Sequence, residues 1–221
     1  MPLKAVFFDI DGTLVDSNEF HVMAWDETFH KAGFWVSTET IRTQIGKGAD
    51  QIIPFLLPAM TAAERGAIAD RHGEIFRTRY LELVKPFPNA TDLIELLHSK
   101  GKKVVLASSA DRAEVDFYVE LLKIGHALNA TVSNDDVKSS KPAGDIFAAS
   151  LASVFPLSAS ETLAVGDTKY DVESAFKSDV KTIAVRSGGV SEEMLFEAGA
   201  AYVFASVKDL FDNYTTSPLQ D

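Results

Sequence analysis

The stretch AVFFDIDGTLVDS, residues 5–17, decides the fold, because an apolar run in it ends abruptly in two acids, a glycine and a threonine. The apolar residues are consecutive rather than alternating with polar ones, which is typical of a parallel strand covered on both faces. Asp9 and Asp11 then lie at the carboxyl end of that strand, where open α/β sheets bind ligands. Gly12 allows a tight turn and a close approach of the backbone to a bound group. The sequence therefore predicts a functional site at this edge.

Composition limits the function classes. The chain has 221 residues, 46% hydrophobic and 24% charged, enough for one large domain or two modest ones. A net charge of -11 without a basic run argues against a nucleic-acid partner. The absence of cysteine excludes disulfides, thiolate metal sites and a cysteine nucleophile. An anion site must therefore take its positive charge from a metal, a lysine or helix amino ends.

The amino-terminal residues pass directly into the predicted strand, which leaves no room for a signal peptide. No apolar run reaches the ~18 residues that a membrane span needs. We therefore expect a cytoplasmic protein with no membrane partner, and a monomer by default.

A helix is predicted to leave the acidic loop directly. Residues 16–18 offer caps, the helix covers residues 19–32, and Gly33 ends it. His21 and Trp25 are four residues apart and so share one face. That face either looks back at the acids or packs in the interior, and the spacing leaves both interpretations open.

Residues 37–85 carry apolar side chains at helical spacing without a strand pattern, which predicts a small helical bundle inserted after the first strand. Thr61 and Glu64 have the spacing of a capping box. Lys47 lies between two glycines on a predicted loop, where it either reaches a substrate anion or is simply solvated.

After Pro86 the pattern changes to alternating strands and helices with short connections. The strands are predicted at residues 103–107, 128–132, 162–165, 182–185 and 202–204. This alternation is typical of a doubly wound parallel α/β sheet with right-handed crossovers. We predict a Rossmann-like core domain of residues 1–16 and 86–221, an inserted α-helical cap domain of residues 17–85, and a loose tail over residues 215–221.

Three of the predicted strands end in polar groups at the same sheet edge. Asp9 and Asp11 follow the first, Ser108 follows the second, and Asp167 follows a later one, while Lys141 precedes a helix entrance that can face an anion. Each group alone is more often a helix cap than a catalyst. Together they indicate a common chemistry.

The chemistry that these groups favour together is phosphoryl transfer. A hard cation such as Mg²⁺ takes carboxylate, water and phosphate oxygens as ligands. The charge that spreads over the transferring oxygens can be neutralised by a lysine, a hydroxyl, backbone amides and the metal. A carboxylate nucleophile forms a phospho-aspartate that water then hydrolyses.

The motifs resemble the four signature motifs of the haloacid dehalogenase superfamily, and the resemblance covers the whole chain. They are Asp9-Ile10-Asp11-Gly12-Thr13, Ser108, Lys141 and the Gly166-Asp167 to Asp171 pattern. The resemblance implies that Asp9 is the nucleophile and a metal ligand. It also implies that Asp11 is the general acid and base, which lends its backbone carbonyl to the metal.

The remaining motifs bring further implied roles. Ser108 corresponds to the hydroxyl that binds the phosphoryl group, and Lys141 to the lysine that steadies it. Asp167 corresponds to a Mg²⁺ ligand, and Asp171 supports that end of the metal site.

The helical insertion resembles the cap of the subgroup that includes phosphoglycolate phosphatases and β-phosphoglucomutase. In that subgroup the cap closes over the substrate and helps to select it, which fits the need to exclude bulk water. The expected substrate-binding residues are Gly12, Thr13, Ser109, His21, Trp25, Arg42 and Lys47.

Specific residues separate the activities of related proteins. Dehalogenases of the superfamily lack the second acid, present here as Asp11, and need no metal. The mutases share a His-xxx-Trp pattern, but their fourth motif tends to read Glu-Asp where this chain has Gly166-Asp167. We therefore expect a Mg²⁺-dependent phosphatase acting through a phospho-aspartate on a small phosphorylated metabolite, of the sugar phosphate or phosphoglycolate type. A sugar-phosphate mutase is the alternative.

Two other classes fit less well. Response-regulator receivers also place acids and Mg²⁺ at a sheet edge, but they have no helical cap and accept phosphate on an inner strand. A silent binding protein is disfavoured because every catalytic position is filled. One departure from related sequences is Ser178-Asp179-Val180, where they often have Ala-Gly and a hydrophobic residue, and it touches no proposed catalytic group.

Overall fold

The elements described here come from a computed structural model that describes residues 2–220. The strands, in chain order, are β1 (Ala5–Phe8), β2 (Val15–Asp16), β3 (Lys85–Pro86), β4 (Lys103–Ala107), β5 (Ala130–Val132), β6 (Thr162–Gly166), β7 (Lys181–Val185) and β8 (Tyr202–Phe204). The helices are α1 (Asn18–Lys31), α2 (Thr38–Arg42), α3 (Ala49–Leu56), α4 (Ala62–Arg79), α5 (Ala90–Ser99), α6 (Arg112–Leu122), α7 (Asp145–Ser153), α8 (Lys169–Phe176), α9 (Glu192–Glu197) and α10 (Val207–Asp212).

The main sheet has six strands in the order β5-β4-β1-β6-β7-β8, and every pairing in it is parallel. β1 lies between β4 and β6, with Phe8 in register with Leu106 on one side and Val165 on the other. The carboxyl ends of these three strands therefore meet at the middle of one edge. The predicted doubly wound α/β fold is confirmed.

The apolar run of β1 serves both faces of the sheet. All four of its residues are fully buried. Val6 and Phe8 belong to one hydrophobic cluster, whereas Phe7 belongs to another on the opposite face. Burial on both faces explains why the run does not alternate with polar residues.

Helices α1–α4, called the cap helices below, pack around their own apolar cluster, which includes Trp25, Phe29, Ile41 and Ile52. The predicted capping box at Thr61 and Glu64 is present at the start of α4.

The chain enters and leaves the cap helices through a short two-stranded ribbon. β2 and β3 pair antiparallel, with Val15 opposite Pro86 and Asp16 opposite Lys85. Two residues per strand are too few to leave a periodic pattern, so the sequence did not predict this ribbon. The expected boundary at residues 16/17 lies at the end of β2, whereas that at residues 85/86 falls between the two residues of β3. The division into domains stays a prediction.

Two local predictions need correction. Ser17 occupies the amino-terminal cap position of α1 without a side-chain cap bond, because its hydroxyl donates to Asp11 instead. The predicted loose tail packs on the core through Leu219, which is fully buried in the same cluster as Val6. A single apolar residue can anchor a short segment, and only Asp221 of the predicted tail lies outside the described residues.

The fifth strand is also shorter than the predicted range of residues 128–132, since it begins at Ala130. Among the described helices, none combines the length and the apolar character that a membrane crossing requires.

Candidate active site

The site begins where β1, β4 and β6 end. Asp9 directly follows β1 and continues the pairing of this strand with β6, because its backbone amide donates a hydrogen bond to the Val165 carbonyl at 2.9 Å. Ser108 follows β4 in the same way, donating its amide to the Val132 carbonyl at 2.9 Å. Asp167 follows β6 and is fully buried. The sheet thus fixes the backbone of each polar residue.

Asp9, Asp167 and Asp171 form a buried cluster in which one carboxylate oxygen from each lies within 4.8 Å of the others. The Thr13 hydroxyl lies 3.1 Å from an Asp9 oxygen and 3.2 Å from an Asp167 oxygen, so its proton can be donated to either. Burial and the neighbouring Asp171 carboxylate raise the pKa of Asp9 to about 7. Burial and the charge of Asp9 raise the pKa of Asp167 well above its usual range.

Lys141 supplies the positive charge inside this cluster. Its side chain is fully buried, donates a hydrogen bond to Asp9, and lies 2.7 Å from Asp171 Oδ1. Burial opposes its charge, but Asp171 and Asp9 outweigh that effect and raise the pKa of Lys141 above its usual value. The other Asp171 oxygen accepts bonds from the Thr168 amide and hydroxyl at 3.0 and 2.7 Å, which caps α8 and orients the carboxylate.

The donor set of the cluster fits a hard divalent cation. Its atoms are carboxylate oxygens, which Mg²⁺ prefers, and one ammonium does not neutralise three carboxylates. Asn18 donates to Asp167 Oδ2 at 2.9 Å, while its own buried carbonyl oxygen has no hydrogen-bond partner within residues 2–220. That orphaned oxygen is one more potential oxygen ligand.

Glycine is required at two points around Asp167. Gly12 has a φ of +74°, and a Cβ there would lie 2.2 Å from Asp167 Oδ2. A Cβ at Gly188 would lie 1.6 Å from the same oxygen. The backbone therefore approaches Asp167 more closely than any side chain would allow.

Asp11 turns towards the cap helices and α6. Its Oδ1 accepts hydrogen bonds from Ser17 Oγ at 2.5 Å and Tyr118 Oη at 3.1 Å, and it lies 3.2 Å from His21 Nε2. Burial opposes ionisation of Asp11, but His21 and these hydroxyl donors outweigh it and hold the pKa of Asp11 below its usual value. Burial likewise opposes the positive charge of His21. The neighbouring carboxylates of Asp11 and Glu114 outweigh this effect and raise the pKa of His21 to about 10.

Asp9 and Asp11 open into a cavity of about 370 Å³ between the core and the cap helices. The walls combine apolar rings with a few polar groups. They include Trp25, Ile45, Lys47, Ile52, His72, Arg77 and Ser109. The His72 ring stacks on Trp25 at 3.9 Å between centroids, and Lys47 Nζ lies 4.4 Å from the centroid of Phe55. The volume is in the range of a small-molecule site.

The cap helices are held against the core by direct polar contacts. The Gly48 amide donates to Ser140 Oγ at 3.0 Å, and the Ser140 amide donates to Asp50 Oδ2 at 3.0 Å. The Tyr170 hydroxyl donates a hydrogen bond to the Thr43 carbonyl at 2.6 Å. The cavity is therefore covered in this conformation. One of the residues that hold the cap helices against the core is Ser140, which directly precedes Lys141.

Most of the predicted site residues lie at the sheet edge or line the cavity, but one lies elsewhere. Asp9, Asp11, Gly12, Thr13, Lys141, Asp167 and Asp171 meet at the sheet edge, and His21, Trp25, Lys47 and Ser109 line the cavity. Ser108 is buried, and its hydroxyl accepts a bond from the Ala110 amide at 3.0 Å. Arg42 does not line the cavity, contrary to expectation. It lies on the surface and donates twice to Glu19, both times at 2.8 Å.

Sequence reasoning missed several residues of the site. Asn18 was assigned only a capping role, although its side chain bonds to Asp167. Glu114 and Tyr118 received no role from the sequence, yet both are buried beside Asp11. A glutamate four residues before a tyrosine on the buried face of a helix was the available signal.

The chain is similar in sequence and fold to known proteins. Residues 6–185 match the family described as haloacid dehalogenase-like hydrolase. A phosphoglycolate phosphatase of Pseudomonas fluorescens is 29% identical over 215 residues, which are 94% of this chain and 78% of that protein. The crystal structure of a hydrolase from Pseudomonas syringae superposes with a TM-score of 0.91 at 25% identity, over 97% of this chain and 99% of the other.

A longer relative is also similar. The chloroplastic protein SUPPRESSOR OF QUENCHING 1 of Arabidopsis thaliana is 30% identical over 209 residues, which are 91% of this chain. The chain spans only 19% of the length of that relative. The similarity therefore concerns one segment of the longer protein.

Proposed function

The chain belongs to the haloacid dehalogenase-like hydrolase family, and we propose that it is a Mg²⁺-dependent phosphatase that hydrolyses small phosphomonoesters. The observation that carries this proposal is Lys141, fully buried between Asp171 and Asp9, of which Asp9 lines the covered cavity. A carboxylate held beside a permanent cation is suited to attack on a phosphorus atom whose oxygens need neutralisation. The phosphoglycolate phosphatase similar to this chain adds support for the reaction class.

In the proposed reaction, an Asp9 oxygen attacks phosphorus and the bond to the ester oxygen breaks. A bound substrate phosphate places negative charge beside Asp11 and opposes the lowering of its pKa by His21. Asp11 then gives a proton to the ester oxygen, so the substrate leaves as an alcohol. Asp11, now a carboxylate, then takes a proton from the water that attacks the phospho-aspartate. The bond between phosphorus and Asp9 breaks, so inorganic phosphate is released and the Asp9 carboxylate is regenerated.

Other residues of the chain hold charge during these steps. Lys141 neutralises oxygens of the transferring group while Asp171 keeps the ammonium in place. The Ser108 hydroxyl and the backbone after Gly12 are the proposed donors to the remaining phosphoryl oxygens. Mg²⁺ bound by Asp9 and Asp167, with Asp171 behind them and the Asp11 carbonyl as a further ligand, would neutralise charge on the transferring phosphoryl group.

The cap helices are proposed to select the substrate and to exclude water. The cavity of about 370 Å³ suits a small metabolite, and its floor lies under the cap loop that contains Lys47. We infer that His21, Trp25, Lys47 and Ser109 contact the part of the substrate beyond the phosphate. Arg42 is left out of this proposed set because it pairs with Glu19 at the surface.

Gly166 favours a hydrolase over a mutase. A Cβ at this position would lie 2.5 Å from Cβ of Asp171, whose carboxylate is fixed by Thr168 and Lys141. A glutamate here, as in the related mutases, would force Asp171 out of its contact with the catalytic lysine. The fourth motif of this chain is therefore built around a glycine, which supports hydrolysis as the main reaction.

The proposal is tested by phosphate release from a panel of sugar, glycolate and nucleotide phosphates, with Mg²⁺ and with a chelator. Asp9→Asn should abolish turnover because an amide is a poor nucleophile, while Asp16→Asn, an exposed matched control, should retain it. Normal turnover of the Asp9 variant would show that the nucleophile is wrongly assigned. Isomerised sugar phosphate in the presence of a bisphosphate activator would instead identify the mutase alternative.

A further inference from the structure

Beside the acid cluster lies a second group of buried and partly buried polar side chains that the reaction above uses only in part. It contains Asp11, His21, Glu114 and Tyr118, which come from the loop after β1, the cap helix α1 and the core helix α6. The proposed chemistry uses Asp11 as the proton carrier. It gives no role to Glu114 or Tyr118.

The four side chains form a closed ring of contacts. Glu114 Oε1 lies 3.4 Å from His21 Nε2 and accepts from Tyr118 Oη at 3.2 Å. The same two donor atoms lie 3.2 and 3.1 Å from Asp11 Oδ1. His21 Nε2 and Tyr118 Oη carry one proton each, so each donor is shared between the two carboxylates.

This sharing matters because a general acid changes its hydrogen bonding in every turnover. As a carboxylate, Asp11 accepts hydrogen bonds from His21 and Tyr118. When it is protonated and donates to the leaving oxygen, those donors need another acceptor, since an unpaired buried donor is costly. Glu114 is within reach of both and can take them over.

A purely structural role does not explain Glu114, because burying its carboxyl group lowers the stability of the fold. It is 6% exposed, and burial raises its pKa above the usual value. Its neighbours on the buried face of α6, Val115 and Leu122, are apolar. A buried carboxylate on such a face is retained at a cost in stability, which is characteristic of residues that serve a site.

The ring of contacts joins the cap helices to the core. The His21 ring stacks on Phe76 of α4, with centroids 3.9 Å apart and planes 5° apart, so its orientation is set within the cap helices. Glu114 and Tyr118 are carried by α6 of the core. The contacts around Asp11 are therefore complete only when the cap helices lie against the core.

We propose that Glu114 is a positioning residue, which orients His21 and Tyr118 and through them places Asp11 to protonate the leaving group. This inference rests on the proposed phosphatase function and assigns a residue to its proton-transfer step. It couples acid catalysis to the closed arrangement of the cap helices.

The test uses the dependence on the leaving group. An alkoxide needs a proton as it leaves, whereas p-nitrophenolate leaves readily without one, so the two substrates differ in their need for Asp11. In a reaction through a phosphoenzyme, kcat/KM reports the steps up to release of the alcohol. The comparison is therefore made on kcat/KM for glucose 6-phosphate and for p-nitrophenyl phosphate.

Glu114→Gln should lower kcat/KM for glucose 6-phosphate by about 10-fold or more, a part of the 10²–10⁴-fold that general acids contribute. It should lower kcat/KM for p-nitrophenyl phosphate by less than about 3-fold, on the same scale of proton-transfer effects. Glu120→Gln, an exposed control on the same helix, should change neither. In an Asp11→Asn background, Glu114→Gln should cost nothing further, because both act in one step.

Equal losses with both substrates would overturn the inference and would indicate a structural role, while leaving the proposed function intact. Additive losses with Asp11→Asn would also overturn it. If Glu114→Gln fails to fold, Tyr118→Phe removes the second shared donor and decides the same question. A wild-type protein without phosphatase activity would instead contradict the proposed function itself, and with it this inference.

Discussion

Replacing Lys141 by methionine removes the positive charge that the buried acids share and keeps most of the side-chain volume. The ammonium lies 2.7 Å from Asp171 and is hydrogen-bonded to Asp9, and both carboxylates are buried with it. Without it, a cluster of carboxylates is left in the protein interior with no cation. We expect a large loss of both stability and activity.

The magnitude follows from the geometry. At 2.7 Å and an effective dielectric constant of about 20, one unit-charge pair is worth about 6 kcal/mol before the cost of desolvation. Because desolvation offsets part of that attraction, breaking a buried pair by removing one partner costs about 3–5 kcal/mol of unfolding free energy. Asp9 lowers this loss by binding a proton, since its pKa is already about 7. The loss of stability is therefore expected to be larger at pH 8 than at pH 6.

The assay is urea unfolding followed by far-ultraviolet circular dichroism, in chelator-treated buffer at pH 8. Lys138→Met, an exposed lysine on the same loop, is the matched control and should stay within about 0.5 kcal/mol of wild type. Adding Mg²⁺ should restore part of the stability of Lys141→Met, because a dication replaces the missing charge. Phosphatase turnover should fall by at least about 100-fold.

The reasoning would be refuted if Lys141→Met were as stable as Lys138→Met in metal-free buffer at pH 8. That result would mean that the acids do not depend on the lysine for their burial. A stable but inactive variant would separate the two roles, leaving Lys141 as a catalytic group alone.

Two further predictions concern pH and the cap helices. Because the pKa of His21 is raised from 6.5 to about 10, its stabilising effect is complete below pH 6.5 and is lost as the pH rises towards 10, so the metal-free protein should melt at a lower temperature at pH 9 than at pH 7. His21→Asn should flatten that decline, and an unchanged slope would contradict the assignment. Ser140→Ala removes the two hydrogen bonds of the Ser140 hydroxyl, one accepted from the Gly48 amide and one donated to the Asp50 carboxylate. If each contributes about 1 kcal/mol to closure, KM should rise by about 30-fold. Ser139→Ala should leave KM unchanged, and equal KM values for the two variants would argue against Ser140 as a fastening of the cap helices.

The central part of the fold could be predicted because local patterns determine it. The unbroken apolar run before Asp9 indicated a strand buried on both faces, and β1 is such a strand at the middle of the sheet. Parallel strands align their carboxyl ends, so Asp9, Asp11 and Asp167 could be expected at one edge before any distance was known. Lys141 followed from its place in the chain within the family pattern.

Other parts depend on contacts between distant segments and leave little local signal. Arg42 has the charge expected of a substrate-binding residue, but Glu19 is close enough to pair with it at the surface. Leu219 sits in a polar tail whose sequence looks loose, yet the core has a position for its side chain. Glutamate is usually exposed on a helix. The burial of Glu114 is explained only by the approach of α1 to α6, which brings His21 within 3.4 Å of its carboxylate. Pairings of this kind cannot be read from periodicity.

The ribbon of β2 and β3 has a consequence for how such proteins diversify. Since Asp16 pairs with Lys85, the two ends of the inserted helices lie side by side, and a tight turn would suffice to join them. The length of the inserted segment therefore has little effect on the core strands. Once the ends are paired, the entropic cost of closing the loop rises only slowly with its length. Recombination can lengthen or exchange the inserted segment without displacing β1. Substrate preference, which we propose to lie in that segment, can accordingly change while the carboxylates of the core stay in place.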